Sequence, residues 1–263
     1  MPEHHKARIA ESFGKAARRY AQHNRLQQQC AAMLLHRLPK RLGVVLDAGC
    51  GPGVNTHALS VRAATYYGFD LSAGMLAQAQ EQFPQYNWLQ GDLEQLPFAP
   101  ESFDHIYVNL ALQWTNSLAD VLQQLLRCLK PGGTLAFSTV LEGSMAPLGR
   151  LFLRVTGHSH HNRFLRRSEL LTYVQQVIAQ TGVFAACSPK FDTEYIGIPY
   201  MNMRDMLYDL KGIGANYQPA GRARLTRKQL RQVEEDLECY RETDGLLYLN
   251  WHIGFVSITK AIA

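Results

Sequence analysis

The chain has 263 residues, 46% of them hydrophobic and 19% charged, which supports a sizeable buried core and excludes a disordered, collagen-like or coiled-coil chain. Its formal net charge of +5 is uneven: Met1 to Lys40 carries +6, Arg41 to Val140 −4 and Leu141 to Ala263 +3. Five scattered cysteines (Cys30, Cys50, Cys128, Cys187 and Cys239) form no close pair. This excludes a disulfide framework or zinc ribbon and, with no signal-type or membrane-spanning apolar run, predicts a cytoplasmic protein.

Residues Ile9 to Leu38 place apolar side chains three and four apart, which predicts one or two amphipathic helices ended by Pro39. Val44-Val-Leu46 reads as a short buried strand running into Gly49-Cys-Gly-Pro-Gly53, with a helix over Asn55 to Arg62. A second strand, Thr65 to Phe69, ends at Asp70, and Ser72 is placed to cap the following helix through Met75 and Ala79. Strands over Tyr86 to Leu89 and Phe103 to Leu110, a helix from Leu118 to Leu129 and a strand from Thr134 to Thr139 continue the alternation. Such alternation implies an α/β fold, a doubly wound, mostly parallel sheet covered on both faces.

Beyond Leu141 the pattern loosens. Between Glu142 and Tyr200 lie a loop with His158, His160 and His161, a helix over Ser168 to Gln180 and a strand near Phe191 to Ile198. The histidines read as loop residues, since no ligand set of convincing spacing surrounds them, and no metal is expected. Thr226 to Gln229 has capping-box spacing before a helix with Leu230, Val233, Leu237 and Tyr240 on one face, and Leu246 to Ile258 is strand-like.

The glycine spacing Gly49, Gly51, Gly53, preceded by Asp47, departs from the dinucleotide fingerprint and points away from a nicotinamide cofactor. With Asp70 ending the second strand, Gly91-Asp92-Leu93 following the third, Phe103-Asp104 and Pro131-Gly-Gly, the chain resembles the class I S-adenosylmethionine-dependent methyltransferases. That resemblance implies a fold with N-terminal helices and a C-terminal helical and strand embellishment. It makes Asp70 the holder of the ribose hydroxyls, Asp92 the partner of the adenine amino group and Leu93 a surface under the ring. Asp47, Gly49, Gly51, Gly53, Leu71, Met75 and Asn109 complete the implied donor set.

Residues Phe13 to Tyr20, Asn109-Leu-Ala-Leu-Gln-Trp114, Gly143-Ser144, Asn162-Arg-Phe-Leu165 and Leu210-Lys-Gly-Ile-Gly-Ala215 are similar to the malonyl-[acyl-carrier-protein] O-methyltransferases of biotin synthesis, nearly end to end. The resemblance implies transfer of a methyl from S-adenosylmethionine to the free carboxylate of a malonyl thioester, on acyl carrier protein or coenzyme A, leaving S-adenosylhomocysteine. Residues 1–40 are then a helical lid and 41–141 the donor-binding core, while 142–263 form an acceptor-binding insertion with the remaining strands of the same domain.

A carboxylate with a reference pKa near 4 is already ionised at neutral pH, so its attack on a sulfonium methyl needs alignment and desolvation but no general base. Tyr20 is a candidate to close over the donor, and Gln113 and Trp114 to shape the acceptor pocket. Arg163 and Lys211 are candidates to neutralise the malonyl carboxylate, Arg163 through its bidentate fork. Lys211 to Arg231 contains no acid, and Arg222, Arg224, Arg227, Lys228 and Arg231 make it a candidate docking face for an acidic carrier.

Three other readings stand beside this one: quinone-ring C-methylation, O-methylation of a free organic acid, and a non-catalytic S-adenosylmethionine-binding partner protein. A carbon acceptor needs a base near the fourth strand, where Asn109-Leu-Ala-Leu-Gln-Trp114 offers neither His nor acid. A nucleic acid is not an expected partner, because the Asn/Asp-Pro-Pro-aromatic motif of amino-directed enzymes is missing there, and a membrane is not, because no apolar run is long enough to span one.

Overall fold

The computed structural model describes residues 3–159, 163–181, 189–214 and 225–262. Two helices open it, α1 (Glu3–His23) and α2 (Arg25–Leu35). Then follow β1 (Gly43–Ala48), α3 (Thr56–Ser60), β2 (Ala63–Asp70), α4 (Ala73–Gln82), β3 (Asn87–Gln90), β4 (Phe103–Asn109), a 3-10 turn at Leu112–Trp114, α5 (Leu118–Cys128) and β5 (Leu129–Val140). The remainder comprises α6 (Leu148–Thr156), α7 (Arg167–Thr181), β6 (Lys190–Tyr200), α8 (Met203–Gly212), α9 (Arg227–Glu238) and β7 (Leu247–Thr259).

One sheet in the order β3-β2-β1-β4-β5-β7-β6 runs through the molecule. Its first five strands are parallel, whereas β7 is antiparallel to both β5 and β6. Strand alternation splits the core by sheet face. Val45 and Tyr107 join Leu34 of α2, Phe152 of α6 and Leu237 of α9 on one side. Leu46, Ile106 and Val108 meet Leu122 of α5 and Val174 of α7 on the other. Strands buried on both faces explain why β1 and β4 read as apolar runs rather than as alternating patterns. The chain reverses winding between β1 and β4, which opens a crevice at the carboxyl ends of these strands.

Ser72 caps α4 as its position predicted, accepting from the Met75 amide, and Thr226 and Gln229 form the predicted capping box of α9. Two helices were not apparent in the sequence. Pro147, a helix-stopping signal elsewhere, stands at the start of α6, where its missing N–H and fixed φ are tolerated. The ten residues of α8 follow Asn202, whose side chain accepts from the Asp205 amide. Strand β5 starts earlier than expected and takes in Pro131-Gly-Gly, with the Gly132 amide donating to the Lys260 carbonyl.

Several contacts tie the N-terminal helices to the body. His23 Nδ1 lies 2.7 Å from Asp209 of α8, and Arg25 donates to the same carboxylate at 2.8 Å. Nearer the crevice, α1 crosses α4 so closely that a Cβ on Gly74 would lie 2.7 Å from the Gly14 Cα. Ser72 Oγ donates to the Ala10 carbonyl at 2.8 Å across that crossing.

Candidate active site

The loop after β1 is drawn tight by its own backbone. The Gly49 amide donates to the Phe69 carbonyl at 2.7 Å, with Gly49 at φ 79°, where a Cβ would meet the Ala111 Cβ at 2.4 Å. The Gly51 amide donates to one Asp70 oxygen and the Ser72 amide to the other, both at 2.8 Å. Asp70 thus ties the glycine loop to the start of α4. Burial pushes its carboxyl above the usual range, against the pull of these amides.

Gly49, Gly51, Asp70, Leu71, Met75, Asp92, Leu93 and Asn109 line one cavity in the crevice, together with Tyr20 and Trp114. Asn109 serves the frame as well, donating to the Gln27 carbonyl at 3.0 Å and accepting from Ser138 Oγ at 2.7 Å. Its roof is α1, which contributes Lys6, Ile9, Ala10 and Phe13 besides Tyr20. The Phe13 ring meets Trp114 edge to face, centroids 5.2 Å apart. Burial, then the Asp70 charge, holds the Tyr20 hydroxyl well above the usual phenol range.

Lys6, Ile9 and Phe13 were not singled out as site residues in the sequence. Their spacing of three or four residues does put them on one helical face leading to Tyr20, so the geometric signal was available.

Asp47 and Gly53 lie behind this wall rather than on it. Asp47 is buried against Tyr66, whose hydroxyl donates at 2.8 Å, and burial pushes its carboxyl up to about 7. Gly53 faces Thr56, Ala79 and Phe83. These two residues shape the loop from beneath.

A second cavity of about 300 Å³ shares Thr115 with the first and is lined by Gln113, Asn116, Thr139, Arg163 and Tyr173, among others. Gln113 Nε2 donates to the Leu110 carbonyl at 2.5 Å, while its Oε1 is buried without a partner. Arg163 is exposed and pairs with Glu169 at 2.6 Å. Among the described residues of this wall there is no His, Asp or Glu.

Lys211 sits exposed in the last turn of α8 and lines neither cavity. Arg227, Lys228 and Arg231 are exposed on α9, whereas Arg222 and Arg224 fall outside the described residues, as do His160 and His161. Among the described residues no three His, Cys, Asp or Glu side chains gather as a metal site, and no helix is long and apolar enough to cross a membrane.

The first cavity has the donor groups for a nucleoside bearing a charged amino-acid tail: an acid at the end of β2, an acid and an apolar residue after β3, and glycine backbone between them. The Asp70 and Asp92 carboxylates are acceptor groups suited to hydroxyl and amino hydrogens, and Leu93 and Met75 offer apolar surface beside them. Sheet order and site together define a class I S-adenosylmethionine-dependent methyltransferase. A methyltransferase-domain family model matches residues 46–137. The YcgJ protein of Bacillus subtilis has the same fold, with a TM-score of 0.61 at 17% identity over 90% of this chain and 100% of that one.

The malonyl-[acyl-carrier protein] O-methyltransferase of Enterobacter lignolyticus is 36% identical over 96% of this chain and 97% of its own. That of Pseudescherichia vulneris is 37% identical over 87% and 88%. The chain belongs to the malonyl-[acyl-carrier protein] O-methyltransferase family. The bifunctional biotin-synthesis protein BioHC of Cellvibrio japonicus is 37% identical over 92% of this chain, which matches 48% of that longer protein.

Proposed function

We propose that this protein methylates the free carboxylate of a malonyl thioester carried on acyl carrier protein, giving the malonyl methyl ester that starts pimeloyl synthesis for biotin. The observation that carries the reading is the end-to-end likeness to enzymes of that name, 36% over 96% of this chain. A second cavity that meets the donor cavity at Thr115 and carries Arg163, with no acid among its described lining residues, supports it.

S-adenosylmethionine, when bound, supplies an electrophilic sulfonium methyl. Asp70, Asp92 and the glycine loop hold the donor, and Tyr20 and Phe13 shield it from water. Arg163, largely exposed, exchanges its Glu169 partner for the substrate carboxylate, so one ion pair replaces another at modest cost. Trp114 and Gln113, on the turn between the cavities, orient the acceptor. Because the attacking oxygen is already ionised, the wall needs no base, and burial strengthens alignment instead. Arg227, Lys228 and Arg231, with Arg222 and Arg224 nearby in sequence, dock the carrier, and Lys211, exposed on α8 and lining neither cavity, stands apart from the reacting centre.

Incubation with labelled S-adenosylmethionine and malonyl-acyl carrier protein, with acetyl-acyl carrier protein as control, tests this by mass spectrometry of the intact product. One methyl gained on the malonyl form alone is the expected result. Donor binding without transfer to that acceptor would redirect the reading to a free organic acid or a quinone precursor.

A further inference from the structure

We propose that Lys6 is a positioning residue for donor binding, its ammonium fastening the three chain segments that meet at the mouth of the donor cavity. Lys6 projects from α1, with Nζ 2.5 Å from Asp92 and 2.6 Å from Glu94, both carboxylates lying in the loop after β3. Glu94 in turn accepts from the backbone and side-chain amides of Asn116, in the loop that leads from the 3-10 turn to α5. Lys6 and Asp92 line the donor cavity, whereas Asn116 lines the second cavity. Among the described residues, this is the sole ion pair from α1 to a segment of the donor-cavity wall.

The two carboxylates make the ammonium consequential. Asp92 and Glu94 both approach Lys6 Nζ, so without it two negative charges face each other at the cavity mouth. The Lys6 side chain is only 15% exposed. Burial opposes its charge, yet the bonds to Asp92 and Glu94 outweigh burial and raise its pKa.

Other contacts of α1 near the cavity are the Gly14 crossing, the Ser72 bond to Ala10 and the Phe13–Trp114 ring contact, and none of these reaches the loop after β3. Loss of the ammonium therefore unties Asp92 and Glu94 from α1, while leaving α1 packed on α4 and Glu94 bonded to Asn116. The inference rests on the donor half of the proposed function and is independent of the acceptor's identity.

Calorimetric titration of the full chain with S-adenosylhomocysteine, paired with stopped-flow dissociation, tests it. Lys6→Met is expected to weaken binding about tenfold, chiefly through faster release, because charge-assisted bonds hold the loop closed. Lys6→Arg restores affinity to within about threefold, and adding Glu94→Gln to Lys6→Met costs nothing further, since both act on one tie. A merely structural role would instead lower thermal stability without rescue by arginine.

Binding by Lys6→Met within about twofold of wild type overturns the proposal, as does an arginine variant as weak as the methionine one. Should Lys6→Met fail to fold, Glu94→Gln alone probes the same tie, with about threefold weaker binding expected and unchanged binding overturning it. If malonyl-acyl carrier protein is not methylated while Lys6 still governs S-adenosylhomocysteine affinity, the acceptor reading fails and this one stands.

Discussion

The donor cavity and the second cavity, the acceptor side of the proposed function, adjoin at Thr115 and are built by different means. The donor side is framed by loops at the ends of successive parallel strands, and its central acid is gripped by main-chain amides from Gly51 and Ser72. On the acceptor side, Arg163 and Tyr173 come from beyond β5, and the ion pair there is exposed. Backbone geometry at a sheet edge fixes the chemistry common to a fold class. Under the proposed function, side chains on added elements set what is methylated, and an exposed ion pair such as Arg163–Glu169 exchanges partners at small energetic cost.

If burial governs the donor side, its stability depends on pH through Asp47. Burial holds that carboxyl at about 7 in the folded chain, against about 3.9 when unfolded. Between these values the folded state keeps a proton that the unfolded chain has lost, so stability falls as pH rises from about 4 to 7. At about 1.4 kcal/mol per pH unit the loss reaches on the order of 4 kcal/mol. Asp47→Asn, neutral throughout, is expected to remove most of the Asp47 share of this slope in urea titrations at pH 5 and pH 8, leaving the smaller one of Asp70. An equal slope in the variant would show that the acid side of the sheet is wetter than its packing implies.

The comparison sharpens further at Gly49. Alanine there combines a positive φ with a Cβ 2.4 Å from that of Ala111, so S-adenosylhomocysteine affinity is expected to fall at least about a hundredfold. Calorimetry checks this, and near-native affinity would mean that the loop shifts without harm.

The donor side was also the legible one. Its strands are largely apolar and carry Asp47, Asp70 and Asn109 at or beside their carboxyl ends, and the glycine spacing marks the loop, so local sequence specified local structure. What stayed hidden depends on long-range packing. The Lys6–Asp92 pair spans 86 residues, and the burial of Asp47 beneath Tyr66 requires the register of β1 on β2. Helix α6 begins at a proline that reads equally well as a stop. Gln113 and Trp114 were placed correctly after β4, but nothing in their spacing tells that they point into different cavities.

On the acceptor side the effects are expected to be smaller and to leave donor binding intact. Arg163→Gln removes a guanidinium whose present partner is Glu169, and the KM for the malonyl thioester is expected to rise about tenfold. S-adenosylhomocysteine affinity should stay within about twofold, since Arg163 does not line the donor cavity. Inhibition by the methyl-ester product, which lacks the charge, should not change. A parallel loss of donor affinity would dissolve the distinction between the two sides.

The smallest effect belongs to α9. This helix buries Val233 and Leu237 and presents Arg227, Lys228 and Arg231 to solvent, with no acid in its first turn. Cations at a helix N-terminus oppose the macrodipole at a cost of a few tenths of a kcal/mol each, so their presence calls for a benefit outside the helix. An acidic carrier supplies one. Arg227→Glu with Arg231→Glu is therefore expected to raise the KM for the carrier-bound substrate about fivefold at low salt and to leave a coenzyme A thioester nearly unchanged. The wild-type advantage should shrink as ionic strength approaches about 0.5 M, because exposed charges are screened. The capping box of Thr226 and Gln229 is untouched, and an acid at Arg227 suits the helix dipole, so the variant should fold. Equal loss on both substrates would place these arginines in the frame of the helix rather than on a docking face.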